Sequence, residues 1–263
     1  ECRVKIDTLS NLPVVSDENE FEWDEKEHGT RIEIDLDGHY QKGRQSVDEY
    51  MKQTAIVNPH STFIYTDPNA NQLIFPRVAH VLPPEAKEIR PHPYGVELGI
   101  LMKMMKLTSE KTVGKFLKND FESVGPKTVK EICANSSLLP TMKVKAVSRE
   151  HCEKLIKGIE RTKIKAPPTD CISPITSELL EKGLRKEINA EFYCSVSRPA
   201  VVYRGNPFVI EAALAYGGEQ LSDKTVRVMR FANRVPLLYQ QGACSITSTI
   251  QKQSQPRYPP SNH

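Results

Sequence analysis

At 263 residues, with 26% charged residues and a net charge of +3, the chain is long enough for two domains or three small ones. No apolar run approaches the ~20 residues that a bilayer-spanning helix needs, and the opening residues do not read as a signal peptide. Six cysteines, at positions 2, 133, 152, 171, 194 and 244, include no Cys-x-x-Cys pair, which argues against zinc and for a reduced intracellular compartment.

In chain order, residues 1–27 read as acidic and mostly irregular, ending in the run 18–27 around Trp23. His28-Gly29-Thr30 leads into residues 31–36, where Ile32, Ile34 and Leu36 alternate with charges. That period predicts a half-buried strand stopped by Gly38. A helix is expected over 46–55, before Asn58-Pro59. Strands over 62–66 and 72–75 flank Asp67-Pro68-Asn69-Ala70-Asn71 as a hairpin. Pro83-Pro84 and Pro91-His92-Pro93 bracket a linker and a domain boundary.

Residues 91–165 hold 15 Lys/Arg against 8 Asp/Glu, a net of +7, whereas residues 1–90 carry a net of −7 and residues 166–263 a net of +3. This basic block reads as helical throughout. Tyr94, Leu98, Leu101 and Met105 form one apolar face, and Val113, Phe116, Leu117 and Phe121 a second. Val129, Ile132 and Cys133 form a third, and Cys152, Leu155, Ile156 and Ile159 a fourth. Ser109 and Ser148 stand where N-caps belong. Lys111, Lys115 and Lys118 are expected on one helical face, and Lys154, Lys157 and Arg161 on another. Ser123-Val124-Gly125-Pro126 makes a tight turn into a helix start carrying Lys127 and Lys130, whose free backbone N–H groups can hold a phosphate. Lysines framing such a turn fit a grip on duplex backbone without sequence reading; a solvated lysine-rich surface is the alternative.

The final third is expected to be α+β, with a chain break at 166–170 and a helix over 177–183 that Gly183 caps. Strands are expected over 192–196, 200–203, 208–216 and 226–231, with Gly217-Gly218 closing the third. Asn233 and Arg234 read as a strand end and turn. The proline-rich close, Gln255-Pro256-Arg257-Tyr258-Pro259-Pro260, suits no packed element, so residues 246–263 are expected to be poorly ordered. The chain opens on Glu1 and reads as a piece of something longer. No internal repeat stands out. The seven histidines form no spaced ligand set with the cysteines, Asp35 and Asp37 read as a solvated strand edge, and neither a nucleophile elbow nor a Walker loop is present.

Six strings occurring in order resemble the B subunit of DNA topoisomerase VI, the ATP-driven type IIB family. They are Gln53-Thr54-Ala55-Ile56-Val57-Asn58-Pro59-His60, Arg90-Pro91-His92-Pro93-Tyr94-Gly95, Ala166-Pro167-Pro168-Thr169-Asp170-Cys171, Tyr203-Arg204-Gly205-Asn206-Pro207-Phe208, Tyr216-Gly217-Gly218 and the run 230–239. The resemblance implies a multidomain α+β chain. Residues 1–90 look like the C-terminal portion of a GHKL ATPase domain and 91–165 like an all-helical helix–two-turn–helix domain. Residues 166–250 look like a partial transducer, a β-α-β fold like ribosomal protein domains, and 251–263 like a divergent tail.

Of the family's nucleotide site only Gly29 and Thr30 of the His-Gly-Thr string find a match; the magnesium-coordinating Asn helix, the Asp-x-Gly-x-Gly, the phosphate lid and the transducer lysine do not. ATP and Mg2+ are therefore expected in a full-length subunit and not held by this chain, with no catalytic residue and no metal site here. The implied partners are a topoisomerase VI A subunit in an A2B2 heterotetramer, a second B subunit on ATP binding, and duplex DNA, with no membrane. The implied place is the cytoplasm, on the nucleoid, in an archaeon, or the nucleus in a eukaryote. Two readings stay open: a subunit of a double-strand-passage enzyme, or a non-catalytic B-like DNA-binding module of a topoisomerase-like or meiotic double-strand-break complex.

Overall fold

The computed structural model describes residues 2–7, 12–20, 27–43, 45–220, 226–239, 242 and 244–253. They fall into two compact units, 1–40 and 41–263. Most of the acidic run around Trp23 and all of residues 254–263 lie outside the described residues.

In the first unit β1 (Cys2–Asp7) pairs antiparallel with β2 (Leu12–Glu18), Cys2 opposite Glu18, with a bulge at Arg3/Val4. The strand expected over 31–36 is not formed: the segment is irregular, and Ile32, Ile34 and Leu36 are 79%, 69% and 84% exposed. Alternation provides an apolar edge, but a strand also needs a neighbour to pair with, and no described strand pairs with this one.

The second unit opens as expected. Ser46 caps α1 (Val47–Val57) by accepting from the Glu49 amide at 3.2 Å. β3 (Phe63–Thr66) and β4 (Gln72–Phe75) form the anticipated hairpin. Its loop is tied by Asp67, whose Oδ1 accepts from the amides of Asn69 and Asn71 at 2.9 Å each. The Asn71 side-chain amide, above all, holds the Asp67 carboxyl below its ordinary range.

The basic block is helical as read. A 3-10 turn at Pro93–Gly95 precedes α2 (Leu98–Leu107), α3 (Val113–Asn119), α4 (Pro126–Asn135) and α5 (Arg149–Arg161), with a second 3-10 turn at Val144–Ala146. Leu101, Phe116, Phe121, Ile132 and Leu155 are buried in one shared core, Phe116 meeting Phe121 edge to face at 5.4 Å. Ser148 caps α5, and His151 returns the bond by accepting from the Ser148 amide at 3.1 Å. Ser109, in contrast, caps nothing. Thr112 bridges to Lys143, and the Lys111 carbonyl accepts from the Val144 amide at 3.1 Å. This pairing keeps residues 111 and 112 extended, so α3 starts later, capped by Thr112.

The helix expected to end at Gly183 instead runs on as α6 (Ser177–Glu187), with Gly183 in its interior. A Cβ there would overlap the Ile56 carbonyl, so the glycine serves the close crossing of α6 over α1 and not a cap. Ile56 and Val57 share a core with Leu180 and Leu184. Glu211 holds the start of α6, accepting from the amides of Ile175 and Thr176 at 2.8 and 2.7 Å and from the Ser197 hydroxyl at 2.7 Å. α6 lies on an antiparallel pair, β5 (Phe192–Ser197) with β8 (Glu211–Tyr216), between which β6 (Val201–Tyr203) and β7 (Asn206–Phe208) form a hairpin. The single strand expected over 208–216 is thus two, broken where Arg198 donates to the Ile210 carbonyl at 2.9 Å. Tyr193, Ala213 and Ala215 face α6, while Phe192, Leu214 and Tyr216 stay exposed on the other side.

The strand expected over 226–231 shrinks to β9 (Phe231–Ala232), paired with β10 (Val235–Pro236). Asn233 and Arg234, both at positive φ (50° and 63°), make the two-residue turn between them. Arg234 is fixed by donating to the Ser173 carbonyl and hydroxyl, each at 2.9 Å. Residues 246–253, part of the stretch 246–263 expected to be poorly ordered, lie in a helix, α7 (Ser245–Gln253). Its apolar positions, Ile246 and Ile250, are four apart, a helical spacing that the polar composition of the tail disguised.

The base of the helical block meets the hairpin of β6 and β7 around His92 and Gly95. His92 is buried; its Nδ1 accepts from the Tyr94 amide at 3.2 Å, so Nε2 carries the proton and donates to the Lys165 carbonyl at 3.0 Å. The Tyr94 hydroxyl donates to the Thr162 carbonyl and accepts from the Ile164 amide at 3.0 Å. Gly205, at φ 75°, rests on the His92 ring; a Cβ there would fall 2.5 Å from Nδ1. Gly205→Ala combines a left-handed backbone with this overlap and is expected to cost about 2–3 kcal/mol in urea unfolding.

Burial lowers the His92 pKa, with the Lys165 carbonyl and Glu122 opposing in part. Because the folded value lies below the unfolded one of about 6.5, the contribution is complete above that pH and is lost as pH falls beneath it. The urea midpoint should therefore drop between pH 7 and 5, and His92→Gln should flatten that drop.

Candidate nucleic-acid interface

All eight basic residues expected to meet DNA are exposed. Lys115 and Lys118 share the outer side of α3, but Lys111 belongs to the extended bridge before it and is not on that helical face. Lys127 and Lys130 lie on α4, away from buried Val129, Ile132 and Cys133. Lys154, Lys157 and Arg161 fall within about 60° of one another around α5, opposite Leu155 and Ile159. Arg149, Glu153 and Glu160 border that stripe, Arg149 pairing with Glu153 at 3.1 Å. Among the described residues, Lys127 alone of the eight has a carboxylate within 4.0 Å, that of Glu131.

The start of α4 differs from those of its neighbours. Gly125 occupies the cap position and offers no side chain, Pro126 follows, and the amides of Lys127 and Thr128 point out of the helix without a capping oxygen. On α3 and α5 that place is filled by Thr112 and Ser148. Free amides, the positive end of the helix dipole and the Lys127 ammonium thus gather at one exposed turn, an arrangement that attracts a phosphate oxygen.

The sequence did not single out a second group of cations. Lys106, Lys145 and Arg149 rim an open groove of about 360 Å3 whose floor is Met102, Met105, Val144, Val147 and Cys152. These cations come from α2, the 3-10 turn and α5, so no local spacing betrays them. Gly29 and Thr30, the residues expected near a nucleotide, lie in the exposed irregular segment of the first unit. Among the described residues no group of His, Cys, Asp and Glu is placed to hold a metal ion, and no helix is long and apolar enough to cross a membrane.

Residues 167–261 match the family described as topoisomerase VI B subunit, transducer. The α6, β5 and β8 layer and the turns that follow it are thus a transducer domain. Beyond that domain the likeness runs along nearly the whole chain. It is 45% identical over 249 residues to the B subunit of type 2 DNA topoisomerase 6 from Methanococcoides burtonii, covering 94% of this chain and 40% of that protein. It is 39% identical over 247 residues to the B subunit from Archaeoglobus fulgidus, covering 94% of this chain and 41% of that one. With the B subunit from Saccharolobus islandicus it is 33% identical over 260 residues, covering 97% and 49%. The chain belongs to the topoisomerase VI B-subunit family, and it spans about 40% of the length of the first two relatives.

With Gly29 and Thr30 in exposed irregular chain, one glycine and one hydroxyl must do what a metal site, an adenine-reading carboxylate and a phosphate lid do together in nucleotide sites. Titration calorimetry of the chain with millimolar ATP and Mg2+ is expected to show no binding heat, and a phosphate-release assay no turnover.

Proposed function

We propose that this chain is the DNA-holding and force-transmitting part of a topoisomerase VI B subunit, acting in a type IIB enzyme that passes one duplex through a double-strand break in another. Residues 91–165, as a helix–two-turn–helix domain, hold duplex DNA by its phosphates. Residues 1–90 act as the C-terminal portion of a GHKL ATPase domain, and the transducer relays ATP-driven pairing of two B subunits to the cleaving A subunit. ATP and Mg2+ belong to the full-length protein, and the A2B2 assembly supplies the cutting tyrosine.

The observation that supports the DNA reading most is the uncapped start of α4, in a block whose α3, α4 and α5 carry exposed lysines of which only Lys127 has an ion-pair partner among the described residues. Backbone contacts of this kind position a duplex without reading its sequence. No exposed aromatic alternates with these lysines to stack on unpaired bases, so duplex is favoured over single strands.

Fluorescence anisotropy with a labelled duplex tests this reading. About 4–6 phosphate contacts give a log–log salt slope near −4 to −5. Reversing Lys115, Lys118, Lys154 and Lys157 to Glu is expected to weaken binding about tenfold or more at roughly 100 mM salt, equally for unrelated sequences, and to flatten the slope. Unchanged affinity and slope in that variant would mean that this surface is solvated charge only.

A further inference from the structure

The groove between α2, the 3-10 turn at Val144–Ala146 and the start of α5 stands apart from the lysine stripe. Its floor is apolar. Met105, Val144 and Cys152 are buried there, and Met102 and Val147 are partly buried against the same core. Burial, and then Glu153, push the Cys152 thiol up, so its sulphur stays neutral. Methionine is unbranched and adapts its shape to what it meets. The volume, about 360 Å3, is at the lower end of the range for ligand pockets and admits one or two large apolar side chains.

The rim is cationic on both walls. Lys106 stands on α2, Lys145 on the turn and Arg149 on α5, and all three are exposed. Of the three, only Arg149 has an ion-pair partner among the described residues, Glu153 at 3.1 Å, and its side chain is still 72% exposed. Duplex phosphate would neutralise these cations but cover none of the apolar floor. A wholly apolar segment would leave the lysines unmatched. A large apolar side chain flanked on both sides by carboxylates matches floor and rim together. Around α5, Cys152 lies about 140–180° from Lys154, Lys157 and Arg161, so a duplex resting on that stripe does not cover it.

We propose that this groove is a docking site for an acidic segment of a partner protein. Leu or Phe side chains of the segment fill the floor, and flanking Asp or Glu side chains pair with Lys106, Lys145 and Arg149. The apolar anchors supply most of the affinity, because they leave water on binding. The carboxylates orient the segment and speed its approach. This docking does not depend on the grip on DNA.

The probe is a fluorescein-labelled synthetic peptide, Glu-Asp-Leu-Glu-Glu-Phe-Asp-Glu, read by anisotropy with the whole chain at roughly 100 mM salt. A second peptide has Ser in place of Leu and Phe, and a third has Lys in place of every Asp and Glu. The first is expected to bind about tenfold tighter than the second, and the third not to bind. Lys106→Glu combined with Lys145→Glu, both at exposed positions, should weaken the first about tenfold and let the third bind instead. Met102→Gln should weaken the first while leaving its salt dependence in place. If Met102→Gln does not fold, the three peptides and the double variant decide. Equal binding of the first two peptides would mean that the cations act alone, as they would toward a polyanion such as DNA, and overturns the proposal. So does no binding of the first peptide, or binding to the double variant as tight as to the parent.

Discussion

Gly205 resting on the buried His92 ring, with Gly95 close to Arg204 and Asn206, brings the helical block against the transducer hairpin of β6 and β7. The turn Arg204-Gly205 uses positive φ at both residues to join β6 to β7, and only a residue without Cβ can come so close to the imidazole. On its other side the same ring reaches the Lys165 carbonyl, and Tyr94 reaches Thr162 and Ile164. The chain's entry to the block and its exit from it are thereby bound together at one place. The block is thus closed at its base by its own two ends.

That constraint gives the charge distribution its meaning. Exposed lysines add little to stability, since surface ion pairs contribute on the order of 0–1 kcal/mol, and most of those on α3, α4 and α5 have no ion-pair partner among the described residues. A net of +7 over residues 91–165 raises the local concentration of a polyanion and is screened beyond about 10 Å at moderate salt. Carried on folded helices, such charges need no ordering of the backbone before they meet a polyanion, which lowers the entropy cost of association.

The sequence was legible where the deciding forces are local. Val113, Phe116, Leu117 and Phe121, or Cys152, Leu155 and Ile159, reveal their helices because burying one face at 3.6 residues per turn leaves that spacing behind. Ser148 with His151 and the Asp67 loop are equally local. The misread places are those where a distant residue decides. Lys143 pairs with Thr112 and delays α3, Ile56 makes Gly183 an interior glycine, and Ile32, Ile34 and Leu36 await a neighbour that no spacing can supply. The same holds for sites. The stripe on α5 is visible from i, i+3 and i+7 spacing, whereas the Lys106–Lys145–Arg149 rim exists only once separate elements meet.

The central proposal is that duplex phosphate is held at the free amides opening α4. Amide hydrogen exchange of the chain with and without a duplex at low salt tests it directly. Lys127 and Thr128 carry amides with no capping oxygen and should exchange fast in the free chain. The account predicts that DNA slows exchange at these two positions and leaves β5 and β8 unchanged. Protection in the strands with none at the start of α4 would contradict it.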